Sequence, residues 1–197
     1  MNTTRALLIL SVALPLGLAE AQAPAGPPPN PMATAYRSRT GNLRRNIAQA
    51  FDSIPESKFG YKPTPAQLSF GYIAAHIASD SYLFCNNYSD RKATVADNET
   101  TPDSVKQHWP KDVLVTRMKA SFTFCDEVMA GLDDAAVAAI ITVSSPNGTT
   151  RQVARVNYLI GHAIDLADHY SQIANYMRIN GMLPPTALPR PGRGGNE

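Results

Sequence analysis

Between His162 and Gly181 the chain places His162, Asp165, His169, Gln172 and Tyr176 at alternating spacings of three and four. On a helix that spacing is one continuous stripe, so the five side chains share a face. Asp165 and His169, four residues apart, can converge on one ion from a single helix. His76 is the natural third donor, a lone histidine midway along an otherwise apolar segment. Two histidines and a carboxylate would hold one divalent transition metal, zinc, nickel or iron, and leave positions open for water or substrate. A competing reading makes each histidine a hydrogen-bonded core residue with no ion.

The other polar groups near these three carry weaker expectations. A direct role for His162 is opposed by its separation from His169, about 10 Å of rise along the helix. A core, rim or outer position suits it better. Asp80, Gln172 and Tyr176 are expected to hydrogen-bond and orient the ligands rather than bind the ion. Cys85, about 13 Å of helical rise beyond His76, is a poor addition to the set. His108, beside Trp109 near a loop, reads as a surface histidine.

Four amphipathic helices must position these residues. The first is expected from about Ala33 to Ser53, with Leu43, Ile47, Phe51 and Ile54 inward and Arg44, Arg45 and Gln49 toward water. Ser69 is the cap of a second helix that reaches Cys85 or Asn87. A long polar connection follows, with a short helical turn at DSVKQ. Pro110 opens a third helix to about Leu132, its core stripe Leu114, Met118, Phe122, Cys125 and Met129. DDAAVAAI can form a short turn, and Ile140, Ile141 and Val143 fit either its continuation or a brief strand. The fourth helix is expected from about Thr150 to Asn180, stopped by Gly181, with Val156, Ile160, Ala163, Ala167, Ile173 and Met177 on its apolar side. With almost no alternating strand pattern, the fold class is all-α, a helix bundle.

Residues 1–23 have the form of a cleaved secretory signal: one arginine, an apolar run from Ala6 to Leu18, and small residues before cuts after Ala21 or Ala23. Residues 24–32 are a Pro-rich lead-in, 33–185 the bundle, and 186–197 a flexible tail. No later stretch is apolar enough for stable membrane insertion. With 18 Lys plus Arg against 16 Asp plus Glu, net charge +2, nothing marks a nucleic-acid partner. The two cysteines, Cys85 and Cys125, are either a disulfide of an oxidising compartment such as the periplasm or two buried thiols.

The run HAIDLADHYSQIANYMRINGMLPP, with FGYKPTPAQLSFGYIAAHIASDSYLFC upstream and TRMKASFTFCDEV between them, resembles the DinB-like superfamily, and within it the exported members. The resemblance covers about Leu43 to Pro185. It implies a DinB-like four-helix bundle, up-down-down-up, with a long connection between helices two and three. It also implies a divalent metal held by three histidines, one on helix two and two spaced by four on the last helix. His76 and His169 match two of these positions; Asp165 stands where the pattern has its other histidine. The cysteines match positions in exported relatives. Some members act with low-molecular-weight thiols, so the resemblance implies a hydrolase or transferase acting on an unknown small molecule, while a non-catalytic bundle with a vestigial metal site is the alternative. Tyr82, Phe84, Tyr158 and Tyr170, if outside the bundle, would suit a homodimer.

Overall fold

The computed structural model describes Gly26 and residues 29–88, 90–145 and 147–189. The expected signal and its cleavage points lie outside the described residues, as does the tail from residue 190. Four long helices dominate: α1 (Pro31–Ser53), α2 (Phe70–Cys85), α4 (Lys111–Ala130) and α6 (Val156–Ile179). Between them lie two short helices, α3 (Asp103–Lys106) and α5 (Asp134–Ala138), and a hairpin of β1 (Ile140–Ser144) and β2 (Thr150–Ala154). Among the described residues, no helix is long and apolar enough to cross a membrane.

Local chemistry sets the helix ends. Ser69 Oγ accepts from the Tyr72 amide at 3.1 Å, and Asp133 caps α5 through the Ala136 amide. Past the end of α6, Gly181 takes φ 72°, and the Met182 amide returns to the Met177 carbonyl at 2.9 Å. Only a residue without a Cβ takes that turn readily, so α6 stops where the sequence places its glycine.

Two expectations are corrected. The last helix begins at Val156, not Thr150, because Thr150–Ala154 pairs antiparallel with Ile140–Ser144, in register from Ile140 opposite Ala154 to Ser144 opposite Thr150. The β-branched residues of Ile140–Val143, with Ile141 opposite Val153, favour the strand pairing over a longer helix. The buried stripe of α6 is also displaced from the expected one: Leu159, His162, Leu166, His169 and Ile173 face inward, while Ile160 and Ala167 face water.

Each long helix packs on two others, α1 on α4 and α6, and α2 on α4 and α6. Phe51, Phe70, Ile73, Met118, Ile173 and Tyr176 fill one part of the core. Cys85, Tyr88, Phe124, Met129 and Leu159 fill another. A disulfide joins Cys85 of α2 to Cys125 of α4, with Cα atoms 5.3 Å apart. Arg44, expected at the surface, is 3% exposed and paired at 2.5 Å with Asp126. Position 44 falls one turn after buried Thr40 and one before Ile47, so its side chain leaves α1 on the core side.

Candidate metal centre

Helix α2 carries His76 and Asp80 one turn apart, and α6 carries Asp165 and His169 with the same spacing. Packing of α2 on α6 brings the pairs together. One ligand atom from each of His76, Asp165 and His169 lies within 4.8 Å of the other two, which makes this a group able to hold a metal ion. The His76 and His169 rings meet edge to face, 5.1 Å between centroids. His169 Nε2 is 3.3 Å from Asp165 Oδ1.

Burial grades across the cluster. His169 is inside, Asp165 about one-fifth exposed, and His76 at the rim with 30% of its side chain exposed. The second oxygen of Asp165, Oδ2, and His169 Nδ1 are buried without any hydrogen-bond partner among the described residues. Buried polar atoms seldom stay unpaired, because the lost hydration is not recovered. An N, O, N donor set whose carboxylate and one of whose histidines carry unpaired buried atoms fits a divalent transition metal.

The orientation of His76 comes from a residue that sequence reasoning did not attach to the site. Asp103, the first residue of α3, accepts from His76 Nδ1 at 3.1 Å through Oδ2, and its Oδ1 accepts from Ser79 Oγ at 2.8 Å. A carboxylate only accepts, so Nδ1 carries a proton and Nε2 is the nitrogen left for an ion. Nε2 in turn is 3.4 Å from Asp80 Oδ2. Asp80 therefore stands beside the ring's other nitrogen, and Asp103 takes the orienting place expected of Asp80. The hydrogen bond to Asp103 raises the His76 pKa against the opposing effect of burial. Burial raises Asp80, with Asp165 adding to the effect and His76 opposing it.

An ion cluster holds the connection that delivers Asp103. Lys106 is buried at 1% exposure and donates to the Glu99 carbonyl at 2.6 Å, with its ammonium 3.7 Å from Asp103 Oδ1. Arg117 of α4 pairs with Glu99 and donates to the Ala75 carbonyl at 3.1 Å and to Ser79 Oγ at 3.2 Å. Gly71 lets the connection pass: a Cβ there would stand 2.4 Å from the Gln107 carbonyl oxygen.

The remaining candidates sit elsewhere. Gln172 donates to Asp168 at 2.8 Å, and Tyr176 joins an aromatic group with Phe70 and Tyr61, so neither orients a ligand as expected. His108 is exposed. His162 is fully buried in a separate polar pocket: Tyr88 Oη lies 2.6 Å and Tyr36 Oη 3.2 Å from Nδ1, with Ser81 Oγ 3.4 Å from Nε2. Burial, helped by the Arg44 charge, pushes its pKa down to about 3. Phe84 stacks on this ring at 5.2 Å, and Tyr170 is buried, so both aromatics pack against the bundle.

The sequence profile of the DinB superfamily matches residues 40–173, a span that contains α2, α4 and both halves of the cluster. The chain belongs to the DinB superfamily. Solved structures agree on the fold. A DinB-like protein from Bacillus cereus ATCC 10987 superposes with a TM-score of 0.59 at 13% identity, over 77% of this chain and 95% of that one. The mycothiol-dependent maleylpyruvate isomerase superposes with 0.56 at 13% identity, over 72% of this chain, and its histidine-to-alanine mutant gives 0.56 at 12%. This DinB chain spans 60% of the isomerase's length. Comparison with curated proteins gave no match.

Proposed function

We propose that this DinB protein is an exported, metal-dependent enzyme, a hydrolase or transferase of a small molecule, with His76 Nε2, Asp165 and His169 holding one divalent ion. The observation that carries the proposal is the convergence of one donor atom from each of His76, Asp165 and His169 within 4.8 Å, in a cluster where Asp165 Oδ2 and His169 Nδ1 are buried without a partner among the described residues. The reading includes a signal ending near Ala21 or Ala23, a domain over 33–185, and an up-down-down-up order of α1, α2, α4 and α6. The Cys85–Cys125 disulfide supports an oxidising compartment.

A bound zinc, nickel or iron ion would supply Lewis acidity and acidify a water or thiol at its open position. The chain's own residues do the rest. Asp103 holds the His76 ring by Nδ1–H and so keeps Nε2 available. Asp80 places a carboxylate beside that nitrogen, where Oδ2 can accept a proton from the reacting group and return it to the leaving group. The rim position of His76 leaves the cluster open to solvent on that side. The isomerase of the same fold works with mycothiol by its name. Export separates this chain from a cytosolic thiol, which favours water as the nucleophile and hydrolysis as the reaction.

A metal analysis of the mature protein, purified without chelators or a histidine tag, tests the reading alongside Asp165→Ala and His169→Ala. One tightly held transition metal, lost in both variants, is the expected result and opens a screen of small ester and amide substrates. A folded protein that neither retains nor takes up divalent ions would leave a structural bundle whose polar stripe only sets helix register.

A further inference from the structure

The disulfide lies against His162, and this contact belongs to no part of the site described above. Cys85 Sγ is 3.9 Å from His162 Nδ1, and one ligand atom from each of Cys85, Cys125 and His162 lies within 4.8 Å of the others. All three residues are fully buried. Tetrahedral zinc, with Zn–S about 2.3 Å and Zn–N about 2.0 Å, sets sulfur and nitrogen ligands roughly 3.5 Å apart and two sulfurs about 3.8 Å apart; the first is close to the 3.9 Å between Cys85 Sγ and His162 Nδ1, and the second is reached only when the bond between the sulfurs is broken.

We propose that the disulfide masks a second, soft metal site: once it is reduced, Cys85, Cys125 and His162 form a buried S, S, N set for a thiophilic divalent ion such as zinc. The reductant is a dithiol. It gives two electrons and two protons to the Cys85–Cys125 bond and closes to its own disulfide. The ion then displaces the two thiol protons, which leave to solvent, and accepts the thiolates and the imidazole nitrogen.

Three features prepare His162 for this role. Its ring is neutral, because burial opposes protonation. Nδ1 already serves as an acceptor, for the Tyr88 hydroxyl at 2.6 Å, and Ser81 Oγ lies 3.4 Å from Nε2, where the ring proton then resides. That is the tautomer an Nδ1 ligand needs, with Ser81 in the orienting place. Tyr88 keeps a partner when it yields Nδ1, since Tyr36 Oη is 2.5 Å away.

The consequence is a change in which elements are joined. The disulfide ties α2 to α4 alone. An ion on the reduced set would tie α6 to both, through His162, wherever a dithiol reductant reaches the exported chain.

Cobalt(II) titration tests this independently of the His76 cluster, because only thiolate ligands give sulfur-to-cobalt charge-transfer absorption. Mature protein is compared oxidised and after reduction with a phosphine that is then removed under anaerobic conditions. The reduced chain is expected to take up one further cobalt with thiolate charge transfer, displaceable by zinc. Cys85→Ser and Cys125→Ser should lose the band, and His162→Gln should weaken this binding by at least about tenfold. A reduced chain that unfolds, or that stays folded and binds no more cobalt than the oxidised one, overturns the proposal. So does a charge-transfer band unchanged in His162→Gln.

Discussion

Asp103 Oδ2 accepts a hydrogen bond from His76 Nδ1 at 3.1 Å, across 27 residues of chain. The contact engages Nδ1 and leaves Nε2 free of it, so a residue of the crossing connection orients the ring of a candidate site built on two helices.

Asp103→Asn should therefore weaken metal binding by about 10–100-fold, the usual effect of removing the group that orients a ligand histidine. Competition against a chromogenic chelator reads this directly. Circular dichroism should stay near wild type, since Asn keeps the volume and one acceptor. An unchanged affinity would mean that His76 does not ligate through Nε2.

Metal should also stabilise the fold. At 100 times its dissociation constant a ligand adds about 2.7 kcal/mol, which for a domain of this size raises Tm by roughly 5–10 °C. Asp165→Ala and His169→Ala should melt at the same temperature with and without the ion. A metal-dependent shift that survives in both would place the ion elsewhere.

Acid should destabilise the protein through His162. Its pKa falls from 6.5 to about 3 on folding, so below pH 6.5 the unfolded chain binds a proton that the folded one refuses. The stability from this group is present above 6.5 and is lost at about 1.4 kcal/mol per unit as pH falls toward 3. His76, raised on folding, has the opposite sign: its contribution is present below 6.5 and fades as pH rises past the folded pKa. Urea unfolding of the metal-free protein at pH 7 and pH 5 separates them. His162→Gln should lose about 2 kcal/mol less than wild type over that interval, whereas His76 contributes equally to both proteins.

Gly71→Ala should act on both fold and site. The added Cβ meets the Gln107 carbonyl oxygen, a backbone atom that cannot swing aside, at 2.4 Å. A cost of about 1–3 kcal/mol is expected, together with a loss of metal affinity as the connection carrying Asp103 is pushed off α2. Gly131→Ala, where a Cβ would meet nothing within 4 Å, serves as the control. Equal behaviour of the two variants in melting and metal titration would remove the link between this close approach and the site.

The sequence by itself determined the helices and the local halves of the cluster. Ser69, Gly181 and the three-four spacing act within a few residues, so the cap of α2, the stop of α6 and the shared face of Asp165 and His169 are legible without a fold. It also offers either a turn's continuation or a brief strand for Ile140–Val143, and the choice depends on a partner, Thr150–Ala154, whose own pattern reads as helix. Tertiary structure decided what no periodicity encodes. Arg44 turned inward because position 44 lies on the face that α4 covers, where Asp126 receives it. Asp103 reached His76 because Gly71 admits the connection and Lys106, Glu99 and Arg117 hold it. His162 left the metal stripe for the disulfide because seven residues of helix put about 10 Å between it and His169. Helical spacing fixes direction over a turn or two; which groups meet across 27 or 77 residues is set by packing alone.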